Sequence, residues 1–121
     1  MSCKQGKAWG TTEEIFNNGT VAIHLIKIDK GGFCSIHKHQ FKSNKFYVLE
    51  GNLQLNIWTQ EKEADVTVLW AGEMCEVPPL VDHQFKALTD VKCLEIYTVG
   101  FKGEDIIRKT VGGMEYKAPR K

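Results

Sequence analysis

Between residues 12 and 100 the chain is cut by turn-forming residues every six to twelve positions, and no apolar pattern at helical spacing reaches a dozen residues. A chain punctuated this way can build short strands but not a long helix. The sequence therefore predicts an all-β fold, with strands over 13–16, 21–28, 33–37, 45–50, 53–58, 66–70, 74–77, 83–87 and 91–99. Turns are expected at Asn17-Asn18-Gly19, Asp29-Lys30-Gly31-Gly32, Glu50-Gly51-Asn52, Ala71-Gly72-Glu73 and Leu88-Thr89-Asp90, where Gly, Asn or Asp can take positive φ or close an Asx-turn. Leu53, Leu55 and Ile57 alternate with Gln54, Asn56 and Trp58, the mark of a strand with one wet face. Pro78-Pro79 cannot donate to a ladder and marks a loop. The tail from Gly100 is expected as irregular structure or an edge strand.

At 121 residues the chain suits one hydrophobic core. Sixteen Lys and Arg face fifteen Asp and Glu, and no basic stretch stands apart from acidic neighbours. That balance argues against a nucleic-acid or anionic-membrane surface and favours a small-molecule partner. The longest apolar run, 21–26, is interrupted by His24 and falls far short of the roughly 20 residues of a membrane span. The N-terminus shows no apolar signal core, so a soluble, cytoplasmic protein is expected. Cys3, Cys34, Cys75 and Cys93 include no Cys-x-x-Cys pair and are expected as reduced, mostly buried thiols.

His37-Lys38-His39 is the first feature with chemistry in it. In a strand, side chains two apart share a face and lie roughly 7 Å apart along the backbone, close enough for two imidazoles to converge on one metal ion. Such pairs also occur as surface or hydrogen-bonded residues. The wider spacing narrows the choice: Gly31, His37, His39, Asn44 and Gly51 form one block, and Gly72, Pro78 and His83 a second.

These two blocks resemble the paired motifs of the cupin superfamily. The resemblance implies a cupin-type β-barrel, a jelly-roll-like double-stranded β-helix, with residues 12–99 as the barrel and the N-terminal segment and C-terminal tail packed on it. It also implies a metal site at the barrel mouth. His37, His39 and His83 are the expected ligands of one divalent transition metal, with Zn, Fe, Mn and Ni all open. The sequence departs from the motifs in three places: Asn44 stands where a Glu ligand is expected, Leu80 replaces a glycine and Ala87 an asparagine. An amide oxygen is neutral, so Asn44 is expected as a weak fourth ligand or a partner of bound water, and the metal would keep its full charge.

Lys7-Ala8-Trp9-Gly10, Leu94-Glu95-Ile96-Tyr97 and Gly103-Glu104-Asp105-Ile106-Ile107-Arg108 look like the barrel segments of type II mannose-6-phosphate isomerases and of small cupins similar to them. That resemblance implies a sugar or sugar-phosphate isomerase or epimerase. Lys42 and Arg108 are its expected substrate-binding cations, with Trp9 covering the barrel and available to a sugar ring. Either cation could instead be solvated or paired with Glu104 and Asp105. Gln84 stands where that group tends to carry arginine.

Isomerisation moves a proton between adjacent carbons, and Glu95 is the candidate base, with Lys42 a second catalytic candidate. Glu95 shares a strand face with Cys93 and Tyr97, and an acid there needs a polar cavity or a partner such as Lys86 or Lys92. Other residues read as structural: His24 as a surface or hydrogen-bonded imidazole, Glu50 and Glu73 as solvated turn residues, and Cys34 as a packed thiol facing away from the metal. Trp58 and Trp70 are expected in the core or an interface. Two other functions stay open: a three-His Fe(II) dioxygenase, and a non-catalytic carbohydrate-binding cupin with a degenerate metal site. A homodimer is expected, both from the resemblance and because an apolar strand such as 21–28 at a sheet edge would need covering.

Overall fold

The strand-forming stretches meet in two antiparallel sheets in a computed structural model that describes residues 4–59, 63–98 and 106–115. In chain order the strands are β1 (Lys4–Lys7), β2 (Gly10–Asn17), β3 (Val21–Ile28), β4 (Gly32–Phe33), β5 (His37–Lys38), β6 (Ser43–Glu50) and β7 (Leu53–Trp58). They continue as β8 (Asp65–Leu69), β9 (Met74–Val77), β10 (Asp82–Ala87), β11 (Val91–Thr98), β12 (Ile107–Arg108) and β13 (Gly113–Met114). No helix is found among the described residues. One sheet runs β1-β2-β3-β11-β6-β9. In the other, β10 pairs with β7 along its length and with β4 and β5 besides, while β8, β13 and β12 extend it outward.

Alternation sets what each strand turns inward. Ile26, Ile28, Phe46, Val48, Leu53, Leu55, Val77, Phe85, Ala87, Val91 and Cys93 fill the space between the sheets. Each large apolar side chain buried there contributes about 1.5–3 kcal/mol. Along four strands the inner face then turns polar. On β3 it passes from Ile28 and Ile26 to His24, on β11 from Val91 and Cys93 to Glu95 and Tyr97, on β6 from Val48 and Phe46 to Asn44, and on β10 from Ala87 and Phe85 to His83. The registers bring these polar ends together: Glu95 opposes His24, Tyr97 opposes Asn44, and His83 opposes His37. One end of the barrel is thus a dry core and the other a polar mouth.

The expected turns are present. Asn17 and Asn18 accept backbone N–H groups two or three residues on, and Gly31, Gly51 and Gly72 all have positive φ. At Gly51 a side chain would also collide with the Asp90 carbonyl. The expected strand 33–37 is split, however, into β4 and β5. Residues 34–36 find their partners elsewhere: the Cys34 N–H donates to the Phe85 carbonyl, the Gln84 amide to the Cys34 carbonyl, and the Ile36 N–H to Thr110 Oγ1. The irregular step breaks the alternation, so Cys34 is a packed thiol but lines the same cavity as His37 rather than facing away from it.

Two further expectations change. The strand 21–28 is no edge: β3 is paired on both sides, by β2 and β11, so it supplies no edge for a partner to cover. Of the two settings expected for Trp70, core or interface, the core is ruled out: it is 60% exposed and follows the outermost strand β8. The described part of the tail does form edge strands. β12 lies on β5 with Arg108 opposite His37, and β13 lies on β4. Ion pairs between Lys86 and Glu115 and between Lys109 and Asp82 hold this strap to β10.

Candidate metal centre

Two strand segments and one loop position build the centre. β5 carries His37, His39 follows two residues later on the same side, and β10 delivers His83 directly across from His37. The ring centroids are 4.4 Å apart for His37 and His83, 5.1 Å for His37 and His39, and 5.4 Å for His39 and His83. One ring nitrogen from each lies within 4.8 Å of the others, and all three residues are buried. The Leu80 N–H donates to the His39 carbonyl at 2.8 Å, tying the loop after Pro78-Pro79 to the same place.

Hydrogen bonding fixes which nitrogen each ring offers. His37 Nδ1 lies 2.8 Å from the Ser35 carbonyl and His83 Nδ1 3.0 Å from the Val81 carbonyl. A carbonyl can only accept, so both Nδ1 atoms carry the proton and both Nε2 atoms keep a lone pair. Burial, reinforced by the neighbouring His83 and His39, pushes His37 down from 6.5 to about 3, although the Ser35 carbonyl opposes the shift. Burial also lowers His83, against the Val81 carbonyl and the charges of Glu95 and Asp82. The His37 and His83 rings are therefore neutral at physiological pH, which is the form that binds metal.

Asn44 is fully buried in β6, and its Nδ2 donates to Glu95 Oε2 at 3.0 Å. That bond assigns the amide: the NH2 faces Glu95, so the other branch is the oxygen. Asn44 Oδ1 and His83 Nε2 are both buried without a hydrogen-bond partner. Native interiors rarely leave such atoms unpaired, and here two electron-pair donors are orphaned at the polar end of the barrel that holds the three imidazoles. The donor set fits one divalent transition metal ion, with three imidazoles and room for further ligands.

Beside the triad, and lined by two of its members, lies a cavity of about 380 Å³ whose wall includes Trp9, Thr12, His24, Cys34, His37, His39, Glu95, Tyr97 and Arg108. Glu95 is buried on that wall, and its expected structural partners are occupied: Lys86 pairs with Glu115, and Lys92 with Glu50. Arg108 lies exposed at the rim, and the acidic residues it could have paired with, Glu104 and Asp105, fall outside the described residues. Trp9 packs edge-on against Phe85 at 5.0 Å between centroids. Lys42 stands apart from the cavity wall, with its ammonium 4.1 Å from the centre of the Tyr97 ring. Gln84 turns to the opposite face of β10 from His83, where it bonds Asn56 and the Cys34 carbonyl.

Sequence reasoning gave Tyr97 no role beyond sharing a strand face with Glu95. Its ring packs edge-on against both His39 and His24, and its hydroxyl is hydrogen-bonded to Glu95. Burial and the Glu95 charge raise its phenol well above the ordinary range, so it stays a donor. The signal was present in the sequence, two positions beyond Glu95, but only the pairing with Asn44 shows that this end of β11 reaches the triad. His24 is a hydrogen-bonded imidazole as expected, held by Thr12 Oγ1 at 3.3 Å and near Glu14 at 3.6 Å, yet it too lines the cavity. Burial raises the Cys34 thiol, whose sulfur accepts the Phe85 N–H, so it is a protonated packing group and not a thiolate ligand.

No protein-family model matches the sequence, and no curated protein is similar to it in sequence. Solved structures do match in three dimensions. Oxalate decarboxylase from Bacillus subtilis, determined at pH 4.6, superposes with a TM-score of 0.79 at 15% identity over 89% of this chain and 30% of its own. The barrel is a cupin fold. A structure of the same enzyme used to study its Mn(II) centres gives a TM-score of 0.78 at 15% identity, again over 89% of this chain and 30% of the other. A deletion mutant gives 0.79 at 14% identity with the same coverage. The chain thus spans about a third of the length of the proteins it matches, and at this identity the likeness concerns the fold alone.

Within a cupin barrel the departures noted in the sequence acquire positions. Asn44, where the resemblance expects a carboxylate ligand, is fully buried in β6. Leu80, in the place of a glycine, has φ of 65°. Ala87, in the place of an asparagine, is a buried core residue.

Proposed function

We propose that this cupin binds one divalent transition metal through His37, His39 and His83 and acts on a small polar substrate, as a sugar or sugar-phosphate isomerase or epimerase. The observation that carries the reading is the buried Nε2 of His83, orphaned within a group of three imidazoles, two of which, His37 and His39, line a cavity that also presents Glu95 and Arg108. When bound, the metal supplies Lewis acidity to a carbonyl or hydroxyl oxygen. Glu95 takes and returns the proton moved between adjacent carbons. Arg108 at the rim binds a phosphate or carboxylate in a bidentate manner, Lys42 adds positive charge beyond Tyr97, and Trp9 covers the sugar ring. Asn44 is the weak fourth ligand or holds a bound water.

The test is turnover of a panel of aldose and ketose phosphates by protein loaded with Mn(II), Zn(II), Fe(II) or Ni(II). Mn(II) belongs in the panel because a structural neighbour carries it. Interconversion that a chelator abolishes, and that falls at least about 100-fold in Glu95→Gln, supports the reading; this is the usual scale of lost general base catalysis. A loaded protein that turns over no member of the panel contradicts it. A second reading, a three-His Fe(II) dioxygenase, draws on the absence of a carboxylate from the ligand cluster among the described residues. Oxygen consumption dependent on Fe(II) separates the two.

Two further elements belong to the same proposal. A twofold dimer would form through a sheet edge; β8 has one neighbour, and its Val66 and Val68 are exposed. Sedimentation returning only monomer would remove that element. An intracellular setting draws on the free thiols of Cys34, Cys75 and Cys93. No helix among the described residues is long and apolar enough to cross a membrane.

A further inference from the structure

Glu95 is a buried acid that is not part of the three-histidine cluster. It is buried on the inner face of β11, and among the described residues no lysine or arginine forms an ion pair with it. Its partners are the Asn44 amide at 3.0 Å and the Tyr97 hydroxyl. It is not one of the clustered ligands, which are His37, His39 and His83 alone. Asn44, in contrast, is fully buried, grips Glu95 with its nitrogen and leaves its oxygen without a partner.

We propose that Glu95 is a positioning residue for the metal: through Asn44 Nδ2 it aims the Asn44 amide oxygen at the ion, and it supplies the negative charge that a ligating carboxylate would otherwise bring. This rests on the metal-binding reading above but not on any catalytic activity. The physical logic has three parts. An amide is planar, so anchoring its nitrogen fixes the direction of its oxygen. A carboxylate accepting the N–H polarises the amide and moves electron density onto that oxygen, which makes a weak neutral donor a better one. A buried carboxylate without a cation is costly unless charge of opposite sign arrives, and a dication beside it provides that charge. The sheet register keeps the device rigid, since Tyr97 lies opposite Asn44 and is hydrogen-bonded to Glu95 as well.

The experiment is Co(II) titration of the full chain against a competing chelator, with the visible d–d spectrum recorded for each loaded protein. Glu95→Gln preserves the shape of the side chain and one acceptor oxygen while removing the charge. It is expected to weaken Co(II) binding by about 10- to 100-fold, as loss of an outer partner of a ligand does, and to alter the spectrum. Asn44→Ala is expected to weaken binding on the same scale. The decisive variant is the double exchange Asn44→Asp/Glu95→Gln, which moves the charge from the outer to the inner position and should restore affinity to within about threefold of wild type. Circular dichroism of the metal-free proteins selects folded variants, and the near-isosteric exchange keeps the test open if Asn44→Ala does not fold. Unchanged affinity and spectrum in Glu95→Gln, or an exchange that binds no better than Glu95→Gln alone, overturns this proposal. If His37→Ala still abolishes binding in that case, the three-histidine reading stands without it. A wild-type protein that binds no Co(II) overturns both.

Discussion

His37 shows how one residue connects sequence, burial and chemistry. Held neutral by burial and by its fellow histidines, it keeps a lone pair for a metal, but the metal-free protein is penalised when that ring must take a proton. Its pKa is about 3 in the fold against 6.5 in an ordinary setting, so between those values the unfolded chain binds more protons than the folded one. Stability is therefore fully present above about pH 6.5, declines as pH falls, and this contribution is gone by about pH 3. Comparing urea midpoints at pH 7 and about 4.5, metal-free wild type should lose on the order of 2 kcal/mol more than His37→Gln. Parallel losses in the two proteins would contradict the assignment. The metal candidates were legible because His37, His39 and His83 sit at recognisable spacings. Tyr97 was not, because its importance comes from pairing across to Asn44, a contact between residues 53 positions apart.

At the scale of elements, the loop from β9 to β10 carries a cost that a substitution can recover. Leu80 adopts φ of 65°, a left-handed conformation that a branched side chain resists, while 60% of its surface is exposed and little packing holds it there. Leu80→Gly should stabilise the protein by about 0.5–1 kcal/mol, relief of strain outweighing the greater freedom of glycine in the unfolded chain. A lower urea midpoint would contradict this. The Leu80 N–H to the His39 carbonyl is a backbone bond and survives the change.

Most strands were legible from their alternation and from glycines at turns. What failed had a common cause. Strand 33–37 broke where Gln84, Phe85 and Thr110 offered residues 34–36 better partners than a ladder, and β3 proved interior because β11, about 70 residues later, pairs with it. Neither partner can be inferred from local sequence. β1 also went unread: Lys4–Lys7 is exposed throughout and has no apolar alternation to betray a strand.

The whole molecule divides its labour along the barrel axis. The end filled by Phe46, Val48, Leu53 and Leu55 supplies stability, and the polar mouth spends some of it on buried histidines, Asn44 and Glu95. Phe46 lies between the two, fully buried and edge-on to both Phe85 and His83 at 6.1 Å between centroids. Phe46→Ala should cost about 3–5 kcal/mol in chemical denaturation. A loss under about 1 kcal/mol would mean that the interior is not packed as described.

Fold class was readable from punctuation, and the cupin barrel from two spaced blocks of residues. The strap that sets Arg108 opposite His37 was readable only as an edge strand of unknown position. The central claim is that His37, His39 and His83 bring their nitrogens to one point, and anomalous diffraction from crystals grown with Mn(II) or Zn(II) tests it directly. The account predicts one anomalous peak per chain at about 2.0–2.2 Å from a nitrogen of each of the three rings. Rings that diverge, or a peak that touches none of them, would contradict it.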